Sequence, residues 1–334
     1  MSTNPNRSLH RLTSLEVCAG AGGLAMGLEQ AGFEPVMLIE KRPVVCESLR
    51  LNRPEWDVRE ADLRDFDPME SPETLDVDLL SAGLPRIRAA AAVNRPRGNS
   101  EELHVLDATI QLLYAVQPRA VLVENLPELA TGQEYVSVRE SITQELEHLG
   151  YRHRWFVLNA ADHGVPQARR QGILVAFKGD VLDAFVEPRR DAALVAPTVG
   201  ELLGPSMASN GWTGWSEWAA QADKVAPTLV GGSWDRGGPD LGPSGSKQAW
   251  ARMGVDGATI GDNVPDSGFA WDPSLGRPGM VRLTIEQVAM LQSFPAEWRF
   301  AGGKTAQYRQ IANASPPPVA RALGLAVRRA LEAC

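Results

Sequence analysis

Apolar and polar positions change rhythm several times along the chain. From Leu15, short apolar runs alternate with stretches of helical spacing. "LEVCAG" reads as a strand, "GGLAMGLEQAG" as a helix closed by Gly32, "PVMLIE" as a second strand and "VVCESLRLN" as a second helix. "DVDLLSAG", "AVLVENL" and "GILVAF" are further strand candidates, with amphipathic helices over 101–116 and 137–149. A parallel strand pair needs a crossover long enough to hold a helix, so this alternation predicts an α/β fold. Its core is a doubly wound, mostly parallel sheet covered by helices on both faces.

The rhythm is lost after residue 186. Residues 191–280 are rich in Gly, Pro and Trp, including Trp212, Trp215, Trp218, Trp234, Trp250 and Trp271, with little periodicity. These tryptophans belong either to a core or to a partner surface. Helical spacing returns at "TIEQVAMLQSF" and "PPVARALGLAVRRALEA". The expected organisation is a large domain over 1–186, a smaller loop-rich domain over 187–300, and a segment over 301–334 that returns to the large domain.

Composition narrows the class. The 334 residues are 44% hydrophobic and 22% charged, as in an ordinary globular protein. No apolar run reaches the roughly 18 residues that cross a bilayer, and "MSTNPNRSLHRLTS" has no hydrophobic signal core. No membrane role and a cytoplasmic location are therefore expected. Cys18, Cys46 and Cys334 are too few and too scattered for a disulfide framework or a zinc site, and no metal is expected. The net charge of −8 makes any contact with a polyanion a local one. Residues 191–280 hold ten acids against five basic residues, which leans away from a DNA-reading surface.

In "EVCAGAGGLAMGLEQAGF", Gly20, Gly22 and Gly23 lie between a strand and a helix. Glycines there allow a tight turn, and the helix start offers free N–H groups to a ligand. Glu40, at the end of the second strand, suits two ribose hydroxyls, and Asp62, in "READLRDF", suits an adenine amino group. Either acid is equally readable as a solvated strand-end carboxylate.

Taken in order, these segments resemble the DNA cytosine-5 methyltransferase family over nearly the whole chain. "CAGAGG" matches the family's cofactor loop, and Glu40 and Asp62 its next elements. "VENL" (Glu124, Asn125, Leu126) matches Glu-Asn-Val, and "VPQARRQ" (Gln167, Arg169) matches Gln-x-Arg-x-Arg. "VRLTIEQVAMLQSFP" and "IANASPPPVA" match the two closing motifs. The resemblance implies a class I S-adenosylmethionine-dependent methyltransferase sheet with a target-recognition domain and a DNA cleft beside it. It implies S-adenosylmethionine, or its product S-adenosylhomocysteine, held by Cys18, Gly20, Gly22, Gly23, Leu24, Glu40, Asp62 and Asn313. Cys18 stands where the family usually carries an aromatic that packs on the cofactor.

The family's chemistry adds a thiolate to C6 of a flipped cytosine so that C5 can attack the methyl group. A Pro-Cys dipeptide after a strand supplies the thiolate, the glutamate of Glu-Asn-Val holds the base edge, and the arginine of Gln-x-Arg-x-Arg contacts O2. On this chain Pro-Cys falls on Pro85-Arg86, followed by Ile87, Arg88 and a run of alanines. A guanidinium stays protonated and cannot add to C6. Cytosine-5 methylation is thus expected to be lost. Glu124 and Arg169 either keep a base pocket or form an internal ion pair. Arg86, Arg88, Arg95 and Arg97 either contact DNA phosphates or form a solvated loop.

The function expected is that of a methyltransferase homologue working by binding: S-adenosylmethionine or S-adenosylhomocysteine in one site, and DNA or a protein partner, such as an active methyltransferase relative, across the cleft. The rival is an active methyltransferase on a more reactive acceptor, such as an exocyclic amine, a nucleotide or a natural product. A partner-binding scaffold that has lost the cofactor is a third reading.

Overall fold

The computed structural model describes residues 11–87, 101–232, 234 and 238–334. The first half runs β1 (Leu12–Val17), α1 (Gly23–Gln30), β2 (Phe33–Glu40), α2 (Pro43–Asn52), β3 (Val58–Glu60), β4 (Leu79–Gly83), α3 (Glu101–Val116), β5 (Ala120–Asn125), α4 (Pro127–Thr131), α5 (Val136–His148), β6 (Tyr151–Asn159), β7 (Gln167–Ala168) and β8 (Arg170–Lys178). There follow α6 (Val199–Ala208), α7 (Trp215–Gln221), β9 (Ala226–Pro227), α8 (Ser244–Arg252), α9 (Ile285–Leu291), α10 (Lys304–Asn313) and α11 (Pro317–Ala333).

Seven strands form one sheet in the order β3-β2-β1-β4-β5-β8-β6. The pairs from β3 to β5 are parallel, whereas β8 runs antiparallel to both β5 and β6. The predicted doubly wound sheet is present, with a mixed far edge. The chain winds outward from β1 in both directions, so a crevice opens beyond the carboxyl ends of β1 and β4, where such sheets bind ligands. β6 was not among the anticipated strands. Its sequence, "YRHRWFVLN", carries three basic residues in a row because it lies at the sheet edge, and only Tyr151, Phe156 and Leu158 are buried.

Helix α11 packs against α1, and the glycines make the approach possible. A Cβ on Gly27 would run into the Ala320 side chain and the Pro317 carbonyl. The last helix thereby brings the segment before it, Asn313–Ser315, beside the start of α1.

Residues 191–280 contain three short helices, α6 to α8, rather than loops alone. Thr198 and Glu201 form a reciprocal capping box that starts α6. Trp212, Trp218 and Trp250 are buried, while Trp215 is exposed. One apolar cluster runs from Met26 and Leu49 on α1 and α2, through Trp298, to Leu203, Trp218 and Trp250. Among the described residues, no helix is long and apolar enough to cross a membrane.

Candidate functional site

A cavity of about 730 Å³ lies at the carboxyl ends of β1, β2, β4 and β5. That volume is within the range of small-molecule and cofactor sites. Cys18, Gly20, Gly23, Leu24, Glu40, Asp62 and Asn313 line it, and so do Arg86, Glu124 and Arg169. The two groups predicted from separate motifs thus share one space.

The glycine turn has the geometry its sequence suggested. Cys18 and Gly20 take φ 52° and 54°, and Gly22, which precedes α1, takes φ 81°. Gly20 faces the open cavity, since a Cβ there would meet only the Cys18 carbonyl, 3.9 Å away. Gly23 is pressed against the chain: its Cβ would collide with the Ser315 carbonyl oxygen. Gly22 does not line the cavity but packs towards Leu49 and Trp298.

Glu40 is buried, not a solvated strand end. One carboxylate oxygen accepts from Gly20 N–H at 3.0 Å and the other from Arg42 N–H at 2.9 Å. Burial pushes its pKa up, and these backbone donors pull it down. It fixes the glycine turn while its remaining lone pairs face the cavity. Asp62 is tied to Arg64, at 2.9 and 2.6 Å, and this pairing first of all holds its pKa down at about 2. Lys41, just after β2, reaches Glu101 at the start of α3 at 2.5 Å.

The turn after β4 carries Arg86. Gly83 is the register partner of Glu124, which places that carboxylate beside the turn. The Asn125 amide clamps the turn: its oxygen accepts from Ile87 N–H at 3.3 Å and its nitrogen donates to the Pro85 carbonyl at 3.0 Å. Tyr135 adds a hydroxyl bond to the Ile87 carbonyl at 2.9 Å. Arg88, Arg95 and Arg97 lie outside the described residues.

Arg169 is 3% exposed. Its Nη1 donates to the Ala312 carbonyl at 2.9 Å and the Leu229 carbonyl at 3.4 Å, and its Nε has no partner. Among the described residues no ion pair joins it to Glu124, so the internal-pair reading of these two residues is not what the structure contains. Burial, followed by the charge of Arg86, lowers the Arg169 pKa to about 10, and Glu124 opposes both. Burial likewise lowers that of Arg86.

Neither Cys18 nor Cys46 offers a thiolate. Burial, then the charge of Glu40, pushes Cys18 up to about 12, and Cys46 is raised to about 12 for the same two causes. Cys46 also donates to the Glu40 carbonyl at 3.2 Å, and Cys334 is an exposed terminal residue.

Two contributors to the site were not singled out as site residues from sequence. One is Asn125, whose clamp spans 40 residues. The other is Gln167, fully buried, which donates to Gln292 Oε1 at 2.5 Å and accepts from Leu229 N–H at 2.9 Å. It ties β7 to both the segment after α9 and the strand region around β9. Both were visible only as members of matched motifs.

A seven-stranded sheet of this order, with its glycine turn and acids at the ends of β1 to β3, is that of the class I S-adenosylmethionine-dependent methyltransferases. The chain belongs to the C-5 cytosine-specific DNA methylase family, whose model matches residues 12–329. It is 39% identical to the Type II methyltransferase M.NaeI of Lentzea aerocolonigenes, over 97% of this chain and 76% of that protein. It is 38% identical to the Type II methyltransferase M.NgoMIV of Neisseria gonorrhoeae, over 96% of this chain and 99% of that protein. The S. pombe Dnmt2 methyltransferase has the same fold, with TM-score 0.62 and 18% identity over 97% of this chain and 99% of that one. The family takes its methyl group from S-adenosylmethionine. The open backbone at Gly20, the partly free Glu40 carboxylate and the cavity volume fit that cofactor.

Proposed function

We propose that this chain holds S-adenosylmethionine or S-adenosylhomocysteine but does not methylate cytosine at C5. It works by binding DNA or a protein partner, such as an active methyltransferase relative, in the cytoplasm. Residues 1–186 supply the cofactor domain, residues 187–300 a target-recognition-like domain, and residues 301–334 return to the cofactor domain.

The observation that carries this reading is the occupant of the clamped turn after β4. Arg86 stands there, beside Glu124 and Arg169, in the place where the family's motif has its nucleophile. A guanidinium has no lone pair to give C6. Cys18 shares the cavity, but with a pKa near 12 it is a thiol at neutral pH and supplies no nucleophile in its stead. Gly20, Glu40 and Asp62 are the residues that would hold the cofactor, and Asn313 lines the same cavity. Bound there, the cofactor supplies a methyl group on a positively charged sulfur.

The test has two parts. Calorimetry with S-adenosylhomocysteine is expected to give micromolar binding. Incubation with labelled cofactor and mixed-sequence DNA is expected to leave cytosine C5 unlabelled. Label at C5 that disappears in Glu124→Ala would overturn the proposal, and label on another acceptor would favour an altered methyltransferase instead.

A further inference from the structure

We propose that the arginine end of the cavity is a phosphate site, in which Arg86 and Arg169 together take the phosphate group of a nucleotide rather than a neutral base. This goes beyond the loss of C5 chemistry, because it rests on the placement of two cations and not on the absence of a thiol.

Arg86 has only partial exposure and makes no hydrogen bond or ion pair among the described residues. Arg169 is almost fully buried and has spent Nη1 on two carbonyl oxygens, which leaves Nε without a partner. Buried cations are ordinarily paired, since desolvation costs more than an isolated charge regains. Glu124 is the carboxylate that acts on both arginines, and it forms no direct ion pair with either among the described residues. Around Arg86 and Arg169, two cations facing one carboxylate leave a local surplus of positive charge, although the cavity lining as a whole carries acids and bases in equal number.

The missing counter-charge has a recognisable shape. Among the described residues no acceptor takes any of the five Arg86 N–H donors, which enter from the turn after β4, whereas Arg169 enters from between β7 and β8. A phosphate presents oxygens in several directions and accepts from two guanidinium forks at once. A carboxylate has two oxygens in one plane. A cytosine C5–C6 edge has no acceptor at all, so a base turned that way would leave Arg86 unpaired. The phosphate has two available sources: the monoester of a free nucleotide and the diester of a DNA strand.

Titration calorimetry on the full chain distinguishes them. Deoxycytidine 5′-monophosphate, inorganic phosphate, deoxycytidine, and an oligonucleotide without terminal phosphates are titrated into the wild-type protein and Arg86→Gln. Deoxycytidine is expected to bind at least about tenfold more weakly than its monophosphate. Arg86→Gln is expected to weaken every phosphate-bearing ligand by about tenfold or more, as for loss of a charge-assisted contact, without weakening deoxycytidine. Binding of the monophosphate and of inorganic phosphate assigns the free nucleotide; binding of the oligonucleotide alone assigns the diester. The proposal is overturned if deoxycytidine matches its monophosphate, if Arg86→Gln leaves the phosphate-bearing ligands unaffected, or if none of them binds. Circular dichroism checks the fold. Should Arg86→Gln not fold, Arg86→Lys keeps the charge without the fork, and an undiminished affinity there overturns the two-fork geometry. S-adenosylhomocysteine titrated into the wild-type protein reports the cofactor site separately.

Discussion

The side chain of Asn125 holds Pro85 through its carbonyl oxygen, at 3.0 Å. The grip is on the main chain, so the turn keeps its shape whichever side chain stands at 86. This explains how Arg86 occupies a well-formed turn although its chemistry differs from that of a thiol.

Asn125→Ala should therefore cost stability. The side chain is 6% exposed, and its removal strands the Ile87 and Leu126 N–H groups, worth about 1–3 kcal/mol for a buried network. Urea denaturation reads this as a lower midpoint with an unchanged slope. An unaltered midpoint would mean that Tyr135 alone suffices to hold the turn.

Glu16 makes stability depend on pH. It is buried on β1, accepts from Ser14 at 3.0 Å and from Ser81 on β4, and burial raises its pKa from 4.5 to about 7. A carboxyl with a raised pKa binds its proton more tightly when folded, so stability is greatest below pH 4.5 as far as this group is concerned. It declines as pH rises from 4.5 through 7, by about 3 kcal/mol in all. Glu16→Gln should remove that slope. Melting temperatures at pH 5 and pH 8 check it, and a variant with the wild-type slope would assign the titration elsewhere.

Gly23→Ala should weaken the cofactor end. The new methyl would collide with the Ser315 backbone, which has no flexible end to swing away. A loss of about 1–3 kcal/mol is expected from overpacking, with weaker S-adenosylhomocysteine binding because α1 and the Asn313–Ser315 segment are forced apart. Thermal denaturation and calorimetry together measure the two effects. Full affinity at wild-type stability would show that the segment yields freely.

Arg86→Cys should not restore DNA methylation. A thiol at that position would stand on a clamped turn, but the segment that follows reads Ile87, Arg88 and then alanines, without the serine-bearing stretch of the family. Labelled-cofactor incubation with DNA is expected to show no incorporation at C5. Incorporation would mean that the remaining cavity is complete.

The strand-helix alternation was legible because central strands are apolar on both faces and α1, α2 and α3 carry regular stripes. The glycine turn was legible because Gly20 and Gly22 need positive φ, which few other residues adopt. β6 was not, since the basic run Arg152, His153 and Arg154 at the sheet edge leaves an apolar run of only four residues, 155–158. The short helices α6 to α8 were missed because Gly- and Pro-rich neighbours obscure the period, while a capping box and buried Trp218 and Trp250 supply the stability. Glu40 and Asp62 both line the cavity, but their binding to Gly20, Arg42 and Arg64 depends on folded geometry. The same is true of Gln167, whose partner Gln292 lies 125 residues away.

The close packing of α11 on α1 has a consequence for the order of events on the ribosome. The floor beneath the glycine turn is built from Ser315 and the residues around Ala320, which are translated some 290 residues after Gly23 and Gly27. Contacts so distant in sequence form late and slowly. The emerging amino-terminal half therefore waits with one face of α1 uncovered until the carboxyl-terminal helix arrives.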